Sequence, residues 1–149
     1  MLFTQNYEFQ LPSFQPIFLT EITATLVFGM EQMKVLIVDD NQQVRLLLRD
    51  YLPSSVDEIF ECGDGDKAFA LYRKHLPDWV LMDWEMPKMD GITAIRAIIA
   101  EFPQANICMV SAFDEADIRT AALSAGACEF VLKDNLFELE AILVTNLEH

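Results

Sequence analysis

KVLIVDDN, running from Lys34 to Asn41, is an almost uninterrupted apolar run that stops on two carboxylates. Such a run suits a strand covered on both faces, because a half-exposed strand would alternate apolar and polar residues. Similar runs follow at Glu58 to Cys62 (EIFEC), Trp79 to Met82 (WVLM), Asn106 to Val110 (NICMV) and Glu129 to Leu132 (EFVL). Between them the period changes to that of a helix. Val44, Leu47, Leu48 and Tyr51 fall at i, i+3, i+4 and i+7, as do Ala68, Leu71, Tyr72 and His75. Ile95, Ile98, Ile99 and Phe102 mark a third helix, Ile118, Ala121, Ala122 and Ala125 a fourth, and Leu139, Ile142 and Leu143 a fifth. Pro53, Pro77 and Pro103 stop the first three, and Gly126 stops the fourth. The alternation predicts a (βα)5 chain, a parallel sheet with right-handed crossovers and helices on both faces. The flavodoxin-like strand order 2-1-3-4-5 suits five such units. It places a site at the carboxyl ends of the strands, beside the switch between the first and third.

Outward from this core, composition narrows the function. The 149 residues suffice for about one domain. A formal charge of −14, from 24 acids against 10 bases, argues against an embrace of phosphate backbones, which draws on clustered Lys and Arg. No direct nucleic-acid binding is expected. Cys62, Cys108 and Cys128 are odd in number and lack CxxC spacing, so neither a disulfide framework nor a thiolate zinc site is predicted. The apolar stretch Pro16 to Met30 is shorter than a membrane span of about 20 residues and contains Glu21. It also lacks a preceding basic residue, so no signal peptide and no membrane partner are expected, and the cytoplasm is the expected location. The chain divides into an N-terminal extension, 1–33, and a regular domain, 34–149. In the extension, Ile22 to Phe28 alternate as a strand would, while Phe18, Ile22 and Leu26 have helical spacing. Periodicity leaves both readings open.

The residues at the predicted strand ends are Asp39 and Asp40, Asp83, Ser111 and Lys133. Three converging carboxylates raise one another's pKa unless a hard cation sits among them, and Mg2+ is the hard cation that shares carboxylates with phosphate oxygens. A hydroxyl and an ammonium beside Asp83 would stabilise the oxygens of a phosphoryl group. Asp83 is therefore the candidate acceptor, since a carboxylate can act as nucleophile towards phosphorus. As a turn, Asp83 with Pro87 and Gly91 would need none of this, and Asp39 and Asp40 could be helix-capping acids. It is the set of groups, not any one, that carries the reading.

VDDN (Val38 to Asn41), LMDWEMPKMDG (Leu81 to Gly91), MVSA (Met109 to Ala112) and FVLKD (Phe130 to Asp134) together resemble the receiver domain of two-component response regulators. The resemblance covers about Lys34 to Leu147. It implies that Asp83 accepts a phosphoryl group from a sensor histidine kinase or a histidine phosphotransfer protein. It also implies that Asp40, Asp83 and the backbone carbonyl of Glu85 bind Mg2+ directly, with Asp39 acting through a metal-bound water. Ser111 and Lys133 would contact the phosphoryl oxygens, and Phe130 would be the switch aromatic of a helix 4, strand 5 and helix 5 output surface. Such a surface binds a downstream protein target or pairs with a second copy on phosphorylation. The chain is then expected to be a phosphoacceptor signalling module rather than an enzyme. Two forms are in view: a stand-alone receiver, or the receiver portion of a helix-turn-helix regulator without its effector. The family often has proline after its lysine; here Asp134 follows Lys133, and a trans peptide is expected. Glu85 and Phe113 sit where the family varies and are expected to tune the lifetime of the phosphorylated state.

Two other classes fit less well. A haloacid-dehalogenase-like phosphatase places its nucleophile in a DxD segment after the first strand and carries a cap, whereas this chain has Asp-Trp-Glu after its third strand. A flavin carrier needs a Ser/Thr/Gly-rich phosphate loop where VDDN presents negative charge.

Overall fold

The computed structural model describes residues 32–145. The strand and helix readings for Ile22 to Phe28 lie outside the described residues.

Five strands form one parallel sheet: β1 (Met33–Val38), β2 (Val56–Cys62), β3 (Trp79–Asp83), β4 (Ile107–Ser111) and β5 (Glu129–Leu132). Their order is β2-β1-β3-β4-β5, as the sequence predicts. The helices are α1 (Gln42–Asp50), α2 (Gly65–His75), α3 (Gly91–Glu101), α4 (Ala116–Ala125) and α5 (Leu139–Thr145). A 3-10 turn over Lys133–Glu138, which periodicity does not reveal, leads into α5. Asn41, Asp64 and Asp90 cap α1, α2 and α3 by accepting hydrogen bonds from Gln43, Lys67 and Thr93 amides. The cap of α1 is thus Asn41, and both preceding acids are spared that duty. Gly126 ends α4 at φ 118°, a left-handed position that glycine adopts without steric cost.

Alternate residues of each central strand supply two cores, one per sheet face. Leu36, Val38, Val80, Met82, Ile107, Met109 and Phe130 pack with α2, α3 and α4. Val35, Ile37, Trp79, Leu81, Cys108, Val110 and Val131 pack with Leu48 of α1 and with Leu139 and Leu143 of α5. Here two expectations change. Leu47 and Tyr51 share the helical spacing of Leu48 but are 45% and 40% exposed, because the stripe α1 turns to the sheet carries Leu48 and, partly buried, Val44. β2 is the sheet edge, so only Cys62 is buried, while Asp57 and Glu58 are exposed. His75 is only half-exposed and stacks on Phe60, with ring centroids 3.9 Å apart.

The strand register fixes what meets at the carboxyl edge. Val38 pairs with Met82, Asp83 with Val110, and Ser111 with Leu132. Asp39, Asp83, Ser111 and Lys133 therefore emerge along one rim. Among the described residues, no helix is long and apolar enough to cross a membrane.

Candidate functional site

The rim opens into a cavity of about 260 Å³ lined by Asp39, Asp40, Asp83, Glu85, Ser111 and Lys133, with Trp84 and Phe113 at its wall. All the polar site residues read from the sequence thus share one cavity. Trp84 and Phe113 meet edge to face at 6.2 Å, and Phe113 is 44% exposed. Phe130 does not reach the cavity. Its ring is buried in the core, and the Arg119 guanidinium lies 4.4 Å from its centroid. A phenyl ring has no hydroxyl to hold it in water, so burial is its favoured state. Arg119 also pairs with Asp114 of the β4–α4 loop at 3.3 Å.

One carboxylate oxygen from each of Asp39, Asp40 and Asp83 lies within 4.8 Å of the others. The three differ in how they are held. Asp39 is buried; its Oδ1 accepts the Asn41 amide at 2.9 Å, and its Oδ2 accepts the Lys133 ammonium at 2.7 Å. Asp83 is buried too, with Oδ1 3.0 Å from Lys133 Nζ. Asp40 is exposed, with its carboxylate open to the cavity. One ammonium cannot neutralise three carboxylates, and the residual negative charge in a half-enclosed cavity fits a hard dication with oxygen ligands.

Burial pushes the Asp83 carboxyl up to about 6; the hydrogen bond from Lys133 opposes this, and the charge of Asp39 adds to it. For Lys133, burial works against the charged form, but hydrogen bonds to Asp39 and Asp83 outweigh it and raise its pKa. The Asp83 shift is a stability statement with a definite sign. A carboxyl whose folded pKa exceeds its ordinary 3.8 binds a proton more tightly when folded. Its destabilising effect is absent below about pH 4, grows through about pH 6, and is fully present above. Asp83→Asn, which can still accept from Lys133, is therefore expected to stabilise the metal-free chain by about 2 kcal/mol at pH 7.5 and by little at pH 4. Urea midpoints of parent and variant across that range check it; a gap independent of pH would show that Asp83 titrates normally.

Ser111 is buried, and its Oγ accepts the Phe113 amide at 3.0 Å, which leaves its own proton to donate into the cavity. Glu85 lines the cavity on the β3–α3 loop, its side chain exposed. Gly91 closes that loop by donating to the Trp84 carbonyl at 2.8 Å. The peptides of the described residues are all trans, Lys133–Asp134 included. Sequence reading missed Arg45 of α1, whose Nη1 donates to the Asp39 carbonyl at 2.7 Å. The available clue was its place on the packing side of α1, between Val44 and Leu48, one turn beyond the acids.

Comparison with known proteins gives a consistent result. A family model described as the response regulator receiver domain matches residues 35–143. The chemotaxis protein CheY of Bacillus subtilis is 38% identical over 111 residues, 74% of this chain and 91% of that protein. The transcriptional regulatory protein YhcZ of the same organism is 36% identical over 119 residues, 78% of this chain and 55% of that protein. This chain therefore spans about half the length of that regulator. Among solved structures, the CheX–CheY–BeF3–Mg2+ complex from Borrelia burgdorferi aligns with a TM-score of 0.68 at 28% identity, covering 78% of this chain and 90% of that one.

Proposed function

This chain belongs to the response regulator receiver domain family, and from that membership we infer that it accepts a phosphoryl group on Asp83 from a histidine kinase or a histidine phosphotransfer protein. The observation that carries the reading is the convergence of three carboxylates within 4.8 Å, with Lys133 on Asp39 and Asp83. Asp40, Asp83 and the Glu85 carbonyl would hold Mg2+ directly, and Asp39 through water, because both Asp39 oxygens already accept hydrogen bonds. When bound, the cation supplies charge neutralisation for the phosphoryl oxygens.

The chain's own groups divide the rest. Asp83 has Oδ1 against Lys133, which leaves Oδ2 as the nucleophile. It attacks phosphorus as the bond to the donor nitrogen breaks, and the nitrogen leaves with that electron pair. Lys133 and the Ser111 hydroxyl then donate to the phosphoryl oxygens, and the Ser111 hydroxyl turns towards them. That movement tugs the β4–α4 loop, which reaches Phe130 through Asp114 and Arg119. The output surface is α4, β5 and α5, open to a protein target or a second copy. The likeness to CheY supports a stand-alone switch or relay. The likeness to YhcZ favours a second reading, the receiver portion of a DNA-binding regulator.

Incubation with acetyl phosphate and Mg2+ is expected to give a single base-labile, acid-stable phosphoryl adduct by mass. Chelation and Asp83→Asn should each abolish it. An adduct that persists in Asp83→Asn would refute the assignment. Pull-down with the phosphorylated and unphosphorylated chain separates the two forms: a kinase or phosphotransfer protein supports the relay, a DNA-bound partner the regulator.

A further inference from the structure

We propose that Arg45 is a positioning residue for the cation site: by holding the Asp39 carbonyl it fixes the peptide between Asp39 and Asp40, and so aims the Asp40 carboxylate at Asp83. The proposal rests on reading the acidic cluster as a Mg2+ site.

Arg45 enters a seam between two loops. A Cβ built on Gly63 of the β2–α2 loop would lie 3.8 Å from Arg45 Nη1, 3.8 Å from the Asp39 carbonyl oxygen and 3.5 Å from the Asp40 Cα. The guanidinium is seated there at a cost, because its Nε is buried with no hydrogen-bond partner. What the seat gains is a short charge-assisted bond to one backbone oxygen, Nη1 to Asp39 at 2.7 Å.

Every other polar group of Asp39 is tied elsewhere. Its amide donates to the Cys62 carbonyl at 3.1 Å, Oδ1 accepts from Asn41, and Oδ2 accepts from Lys133. The Asn41 bond spans the peptide that follows, but none of these three bonds holds that peptide's carbonyl. That peptide sets the direction of Asp40, whose side chain is exposed. Among the described residues, the Arg45 bond is the one that holds this carbonyl, and without it the 39–40 peptide can tilt against the Asn41 bond alone. Asp40 could then swing out of the 4.8 Å cluster while Asp39 and Asp83 stay in place.

The sign of the effect separates this role from two others. Arg45 is a positive charge behind three carboxylates, so by electrostatics alone its removal would tighten cation binding. A purely structural residue would change the thermal midpoint and leave cation affinity unchanged. Positioning alone predicts weaker binding that recovers with a replacement donor.

The experiment titrates MgCl2 alone into the full chain, reading 1H–15N amide shifts of Asp40 and its neighbours, for the parent, Arg45→Lys, Arg45→Gln, Arg45→Met and Asp83→Asn, with thermal midpoints in parallel. Arg45→Met is expected to weaken Mg2+ about tenfold, the usual scale for groups that orient metal ligands. Arg45→Lys, which can still donate, should stay within about threefold of the parent, and Arg45→Gln should fall between them. Binding by Arg45→Met equal to or tighter than the parent's overturns the proposal. If Arg45→Met does not fold, Arg45→Gln decides: weaker than Arg45→Lys supports positioning, and equal or tighter refutes it. A parent that gives no saturable response, or one undiminished by Asp83→Asn, removes the cation reading itself and this inference with it. That result is distinct from a parent that binds normally beside an Arg45→Met that does too.

Discussion

Lys133→Met is expected to slow phosphorylation of Asp83 by acetyl phosphate about a hundredfold while tightening Mg2+ binding severalfold. The two effects have one cause and opposite signs. Nζ lies 2.7 Å from Asp39 and 3.0 Å from Asp83, so it competes with a cation for the same negative charge. Its removal leaves the three carboxylates more repulsive and hungrier for a dication. In the transition state, however, charge spreads over the equatorial phosphoryl oxygens, and a preorganised donor aimed at developing charge is worth about 10² to 10³ in rate. Met keeps much of the aliphatic stem, so the half-buried chain remains packed. Adduct formation by mass spectrometry and Mg2+ titration by Trp84 fluorescence read the two effects separately. Unchanged affinity together with an unchanged rate would mean that Lys133 is a structural counter-ion and no more.

The other large effect concerns a residue with no chemistry at all. Gly91 begins α3, where alanine would ordinarily favour the helix by about 1 kcal/mol. Here a Cβ would overlap the Asp83 carbonyl oxygen, lie 2.9 Å from its carbonyl carbon and 3.1 Å from Met82 Cγ. Backbone at the end of a fully buried strand cannot yield as a flexible side chain would, so the clash outweighs propensity. Gly91→Ala is expected to lose about 3 kcal/mol, or roughly 10 °C in thermal midpoint. Any chain that folds should also form the adduct poorly, because relief moves Asp83. Gly63→Ala provides the contrast. Its Cβ would meet ordinary contacts, the nearest at 3.5 Å, and the midpoint should shift by a few degrees at most. Equal behaviour of the two variants would show that the loop after β3 is more pliable than its close packing implies.

The periodicity of KVLIV, WVLM and the helical stretches was enough to set the order of elements, because burial on both sheet faces demands runs that water would not tolerate. The strand ends were legible for a similar reason: a polar residue after such a run marks where the strand leaves its apolar layers. The edges were less legible. β2 looks like its neighbours in sequence, yet its acids face out, since which strand ends the sheet is a matter of pairing rather than of local pattern. Leu47 and Leu48 are equally apolar, and only the way α1 is turned on the sheet buries one and exposes the other.

At the site, the residue types of Asp39, Asp40, Asp83, Ser111 and Lys133 and their places at strand ends were written in the chain itself, because chemistry and strand termini are local properties. The distances were not. Lys133 is 94 residues from Asp39, and their contact exists because register carries β1, β3, β4 and β5 to one rim. The grip of Arg45 on a backbone oxygen, and the absence of room for any side chain at Gly91, likewise depend on how separate loops pack in three dimensions.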